Sequence, residues 1–120
     1  MTKAPRMTGQ EIDALLTKAE EAGRTAATMM TPPVMRIEGY APILDGPCGF
    51  AWVNVKPANG QVAKALVAAG MARKNSYAGG VTVWVSEYNQ SMARKEAHAR
   101  AFANVLKNAG IAAYAGSRMD

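Results

Sequence analysis

Cysteine and histidine occur once each in this 120-residue chain, as Cys48 and His98, and long apolar runs are absent. One cysteine excludes an intrachain disulfide and any cysteine-cluster zinc site. One histidine among carboxylates scattered along the chain lacks the ligand spacing of a metal motif, so no metal and no cofactor are expected. No segment reaches the roughly 18–20 apolar residues of a membrane span. The N-terminal Lys3 and Arg6 are followed by no signal-like apolar region, so a soluble cytoplasmic protein is expected. Carboxylates are scarce after Gly49, where only Glu87, Glu96 and Asp120 occur. Paired-carboxylate chemistry has little to draw on there. A Cys48–His98 nucleophilic pair is arithmetically available, but one residue lies in a Pro/Gly loop and the other amid helix-forming alanines. The chain is therefore expected to bind without turnover.

Hydrophobic residues make up 49% of the sequence, much of that alanine. Alanine buries little apolar area, so this composition predicts one domain that gains area by close backbone packing or by homo-oligomerisation. Charge is unevenly distributed. Residues 1–48 hold five bases against six acids, whereas residues 49–120 hold nine bases against three acids. The second part thus carries +6, a balance that suits an anionic partner such as nucleic acid, nucleotide or phosphate, or a solvated basic surface.

Local patterns divide the chain into alternating elements. Thr8-Gly-Gln-Glu11 fits a capping box, with Met7 and Ile12 placed as its hydrophobic staple. Apolar residues at Ile12, Leu15, Leu16, Ala19, Ala22, Ala26 and Met29 predict a helix over 9–29, which Thr31-Pro32-Pro33 stops. Val34 to Tyr40 reads as a short strand and Ala41 to Gly49 as a loop. Phe50 to Lys56 reads as a strand, with Phe50, Trp52 and Asn54 on one face and Ala51, Val53 and Val55 on the other. A helix capped by Asn59 runs to Gly70, and a basic loop covers Arg73 to Gly80. The Gly79-Gly80 pair matches no phosphate-binding fingerprint and predicts a turn of positive φ. Val81, Val83 and Val85 alternate with Thr82, Trp84 and Ser86 in a further strand. Ser91 caps the last helix, whose stripe is Met92, Ala99, Phe102 and Leu106; Gly110 ends it, and Ile111 to Gly116 forms the closing strand. Residues 66–79 and 106–116 echo one another weakly. The expectation is a single α+β domain over 1–120, with a helical arm at 1–31 and a core at 34–120. A small, mostly antiparallel sheet of about four strands carries three helices in the order α-β-β-α-β-α-β.

Aromatic, basic and amide side chains gather between Tyr77 and Asp120. Arg94 and Lys95 in the first turns of the last helix are unfavourable to its dipole unless an anion lies near. The segments Gly49-Phe-Ala-Trp-Val-Asn54, Tyr77-Ala-Gly-Gly-Val-Thr-Val-Trp-Val85, Gln90-Ser-Met-Ala-Arg-Lys-Glu-Ala97 and Ala113-Tyr-Ala-Gly-Ser-Arg-Met-Asp120 resemble small phage-encoded proteins. They are similar to the anti-Thoeris family of anti-defence sponges. That resemblance implies a phage protein that sequesters cyclic ADP-ribose-type signals, and also cyclic oligonucleotides, in the cytoplasm of an infected host. In that reading Tyr77, Trp84 and Tyr88 stack on a base, Arg94, Lys95 and Arg118 meet phosphate, and Asn89, Gln90 and Asp120 read sugar or base. A pocket between two copies of the chain suits such a ligand. Two alternatives stand beside it. One is a nucleic-acid-binding module with a groove of Lys56, Lys64, Arg73, Lys74, Arg100 and Lys107. The other is a phage structural or assembly protein.

Overall fold

The computed structural model describes residues 6–30, 39, 48–88 and 91–119. Three helices and four strands follow in the order α1 (Gly9–Met29), β1 (Gly49–Lys56), α2 (Gln61–Ala68), β2 (Arg73–Lys74), β3 (Val81–Trp84), α3 (Met92–Asn108) and β4 (Ala112–Met119). The sheet is antiparallel throughout, with strand order β2-β3-β1-β4. A small α+β fold of this composition was expected. Its fourth strand, however, is Arg73–Lys74, a stretch that reads as a loop. Two residues are too few to show periodicity, and β2 is held only by pairing Arg73 with Thr82 and Lys74 with Val81. The strand expected at Val34 to Tyr40 lies outside the described residues, Gly39 apart. From β1 onwards the connectivity is β-α-β-β-α-β with spatial order 4-1-3-2. That is the ferredoxin-like arrangement of two split βαβ units.

Both central strands bury one face. Ala51, Val53 and Val55 of β1, Val81, Val83 and the following Val85, and Ala113 of β4 join Val62, Leu66, Phe102 and Leu106 in one core. Phe102, Leu66 and Leu106 are the bulkiest fully buried side chains, so α2 and α3 both lie on this face. The helix expected as an arm belongs to the same domain. Ile12, Leu16 and Ala19 of α1 sit in the common core, and α1 packs along α3.

Helix ends follow local chemistry. The Thr8 hydroxyl accepts from Glu11 N at 3.2 Å, and Glu11 Oε1 accepts from Thr8 N at 2.9 Å, the expected capping box. Hydrogen bonding of the carboxyl with Thr8, its backbone N–H first and its side chain second, holds Glu11 below its ordinary pKa. Ser91 caps α3 by accepting from Arg94 N. Asn59 does not cap α2; Gly60 occupies that position without a side-chain bond. The backbone amide of Gly60 is held by Pro57 O at 3.0 Å, which moves the helix start one residue on. Gly70 and Gly110 take the positive φ of helix-ending residues.

The buried stripe of α1 departs from its apolar pattern in the second half. Gly23 and Ala27 are buried, whereas Ala22 and Ala26 are only partly so and Met29 is exposed. Gly23 is required there, because a Cβ at that position would lie 2.7 Å from the His98 ring. Small residues, not large ones, face α3 because the two backbones approach closely.

Candidate ligand-binding face

The second face of the sheet carries the side chains that alternate with the core. Register places Phe50 beside Arg118, Trp52 between Trp84 and Gly116, Asn54 between Thr82 and Tyr114, Lys56 beside Ala112, and Arg73 beside Thr82. The core contacts of α2 and α3 lie on the other face, and from α3 the Lys95 and Lys107 ammonium groups reach 5.8 Å from the Phe50 and Tyr114 ring centres. Half of the chain's eight aromatic residues stand here, and Trp84 and Tyr114 are more than half exposed.

The aromatic pair at the centre is built from one glycine and two indoles. A Cβ at Gly116 would lie 2.6 Å from the Trp52 ring, so the missing side chain lets the indole lie across β4. Trp52 and Trp84 meet with centroids 5.3 Å apart at 54°, a tilted contact of the kind aromatic pairs prefer. Towards one end, the Arg118 guanidinium lies 5.4 Å from the Phe50 ring centre. At the other end, the loop from Asn75 to Gly80 closes over Asn54 and Thr82. Asn54 Nδ2 donates to Gly79 O and to Thr82 Oγ1, and Asn75 Nδ2 donates to Thr82 Oγ1 at 3.0 Å. Asn54 Oδ1 is buried without a partner. Gly79 and Gly80 both adopt positive φ, as their turn requires. The face from Phe50 to Lys56 spans about 20 Å at strand rise. Its four strands carry Lys56, Arg73, Lys74 and Arg118 and no carboxylate.

The residues expected to bind ligand do not assemble into one pocket. Trp84 and Arg118 share this face. Tyr77 is fully exposed at the tip of the β2–β3 loop, where its backbone N–H donates to Asn75 Oδ1. Tyr88 lies on the helical side: its hydroxyl is 2.7 Å from His98 Nδ1, and burial raises its pKa. Arg94 Nη1 donates to Ala27 O at 2.7 Å, supplying positive charge to the C-terminus of α1, whose own last turn has no base. Lys95 is 5% exposed, and its ammonium donates to Gly49 O at 3.3 Å. The two bases at the start of α3 are thus tied to neighbouring elements of the fold. Asn89, Gln90 and Asp120 lie outside the described residues.

Sequence reasoning missed Phe50, Trp52, Tyr114 and Gly116. The alternation in β1 is visible in the sequence, but the pairing of β1 with both β3 and β4 joins residues at least 26 positions apart. Equally unforeseen is a polar cluster on the helical side, where one ligand atom each from Glu20, Glu87 and His98 lie within 4.8 Å of one another. Burial pulls the His98 imidazole below its ordinary pKa, against the opposing influence of Glu87 and Glu20. A groove of about 400 Å³ opens beside Glu20, lined also by Asp13, Glu21, Arg24, Ala69 and Met71. Its carboxylates make it unsuited to a phosphate.

No family model, no curated protein and no solved structure matches this chain. Among the described residues no helix is long and apolar enough to cross a membrane.

Proposed function

We propose that this protein binds single-stranded nucleic acid on the aromatic face of its sheet. The observation that carries the reading is the Trp52–Trp84 pair on the two central strands, flanked by Phe50, Tyr114 and cations with no carboxylate among the strands. Every base has a π-face, so exposed rings on a flat sheet stack bases with little sequence preference. Four-stranded sheets of RNA-recognition modules place two or three bases on aromatics in this way. The analogy is one of arrangement alone. The Gly79–Val85 segment lacks the basic-glycine-aromatic signature of those modules, and fold by itself does not define function. Lys56, Arg73 and Arg118 offer phosphate contacts around the rings.

A compact cyclic nucleotide finds less support in this geometry. Trp84 and Tyr88 lie on opposite sides of the sheet, and Arg94 and Lys95 are engaged by Ala27 O and Gly49 O. Sequestration of such a signal therefore rests on the sequence resemblance and on a second copy of the chain.

The test is a titration of tryptophan emission with oligo(dT) and oligo(U) of roughly 12 nucleotides, within the usual site size of a single-strand binder. The expected result is quenching at low salt, with log K falling against log salt with a slope of about −2 for three phosphate contacts. Trp84→Ala should weaken binding by about 10- to 100-fold, since one base–aromatic stack is worth roughly 1–3 kcal/mol. Unchanged affinity in both Trp84→Ala and Arg118→Ala sinks the proposal, as does the absence of binding at low salt. Retention of cyclic ADP-ribose in place of the oligonucleotide would return the sponge reading to first place.

A further inference from the structure

We infer that Glu20, Glu87 and His98 form a binding site for a divalent transition-metal ion of the Zn²⁺ class, with Tyr88 orienting the histidine. The three side chains come from separate elements: Glu20 from α1, Glu87 from the segment after β3, and His98 from α3. Their ligand atoms converge within 4.8 Å of one another, so the flexible glutamate side chains need close in by only about 1 Å to meet one ion with bonds near 2.0–2.2 Å.

The histidine is presented as a ligand should be. Its side chain is buried, and Nδ1 lies 2.7 Å from the Tyr88 hydroxyl. Metal-bound histidines typically give their second ring nitrogen to an oxygen partner, which fixes the tautomer and the ring orientation. In the tautomer whose Nδ1–H donates to the phenolic oxygen, Nε2 carries the free lone pair. A Cβ at Gly23 would lie at nearly equal distances, 2.7–2.8 Å, from Cδ2, Nε2 and Cε1. Such equality places Gly23 over the ring face and out of the in-plane direction of Nε2. Phe102 stacks near the imidazole at 6.3 Å, further restricting its rotation.

The carboxylates are reachable. Glu87 is exposed, and Glu20 lines the groove between α1 and the end of α2. Two carboxylates brought this close repel each other unless a cation lies between them. Arg24 answers Glu20 at 3.5 Å from an exposed position on the same helix, so it is free to swing aside. One imidazole with two carboxylates suits Zn²⁺ or Mn²⁺ better than Mg²⁺, which prefers oxygen and water. An ion here would join α1, the β3–α3 segment and α3 at one point, on the side of the molecule opposite the aromatic face.

The test uses the full chain, freed of metal by a chelator, then titrated with ZnCl₂ by calorimetry and with CoCl₂ by visible spectroscopy. One equivalent of Zn²⁺ is expected, with a rise in Tm, and Co²⁺ should give ligand-field bands of a mixed nitrogen and oxygen site. Glu87→Gln alters an exposed residue and keeps the fold. It and Glu20→Gln should each weaken Zn²⁺ by at least about tenfold, and Tyr88→Phe by about 10-fold through loss of orientation. Equal MgCl₂ should produce no comparable rise. Zn²⁺ affinity unchanged in both glutamate variants, or no binding in the parent chain below millimolar concentrations, overturns the inference. Because neither variant touches the sheet's aromatic face, oligonucleotide binding reports separately.

Discussion

The two faces of the sheet are built from the same strands yet differ in every property that governs recognition. On the covered face, Ala51, Val53, Val55, Val81 and Val83 meet α2 and α3, and all five are essentially removed from water. On the other face, the alternate positions of those strands hold Phe50, Trp52, Trp84 and, from β4, Tyr114 and Arg118. The larger rings are on the exposed side and the smaller branched chains are inside. A core chosen for apolar area alone would reverse that distribution, since aromatic rings bury the most surface. Placing them outside costs stability that a binding role explains. Charge sharpens the contrast. The strands carry four bases and no acid, while α1 carries Glu11, Asp13, Glu20 and Glu21 against Lys18 and Arg24. An anionic ligand is drawn to the open face and repelled by α1, an acidity that α3, with Arg94, Lys95, Arg100 and Lys107 against Glu96, does not share.

The largest effect is expected where the covered face is densest. Phe102 is 1% exposed in the centre of the core. Phe102→Ala should lower unfolding free energy by about 3–5 kcal/mol, measured by chemical denaturation. A cost below about 1 kcal/mol would mean that the two faces do not divide the labour as described. Where the protein stays folded, affinity for oligonucleotide should be preserved.

A smaller effect should follow from Gly116→Val on the open face. The new side chain enters the space of the Trp52 indole, which must rotate away from β4. The displaced ring loses its contact with Trp84. Stability should fall by about 1–3 kcal/mol, the usual range for forced repacking. Tryptophan emission should shift, and oligonucleotide binding should weaken with it. A valine variant with unaltered emission would show that Trp52 does not depend on the glycine.

How much of this was legible in the sequence depends on the range of the interactions. The capping box at Thr8, the Ser91 cap, the Gly79-Gly80 turn and the alternation in β1 and β3 are set within a few residues, and each was readable. The two-residue strand β2 was not, because Arg73 and Lys74 become a strand only by pairing with β3. Strand order is equally non-local. Trp52, Trp84 and Gly116 are far apart in the chain and become neighbours only when β1 lies between β3 and β4. The burial of Lys95 and His98 was hidden for a related reason. An alanine-rich helix has no bulky stripe to mark its inner face, so α1 and α3 meet through small residues and bury polar chains beside them. Tyr77, Tyr88 and Trp84 share an aromatic character in sequence, whereas the fold sends them to a loop tip, the helical side and the open face.

Arg94 gives the finest test of the division between faces. Its position near the start of α3 makes it the natural phosphate ligand in sequence, since a base there opposes the helix dipole. In the fold its guanidinium instead donates to Ala27 O at 2.7 Å, and the positive charge sits at the C-terminal end of α1. The dipole cost at one helix is thus offset at another. Arg94→Met keeps the aliphatic stem and removes the charged donor, leaving that carbonyl without this bond. The expected cost is about 1.5–3 kcal/mol in unfolding free energy, as for other hydrogen bonds to charged groups. Oligonucleotide affinity and its salt slope should remain as in the parent chain, because α3 lies on the covered side. A loss of affinity with a slope shallower by about 0.7, the increment of one phosphate contact on a single strand, would instead make Arg94 a ligand. Stability without affinity assigns it to the scaffold; affinity without stability assigns it to the site.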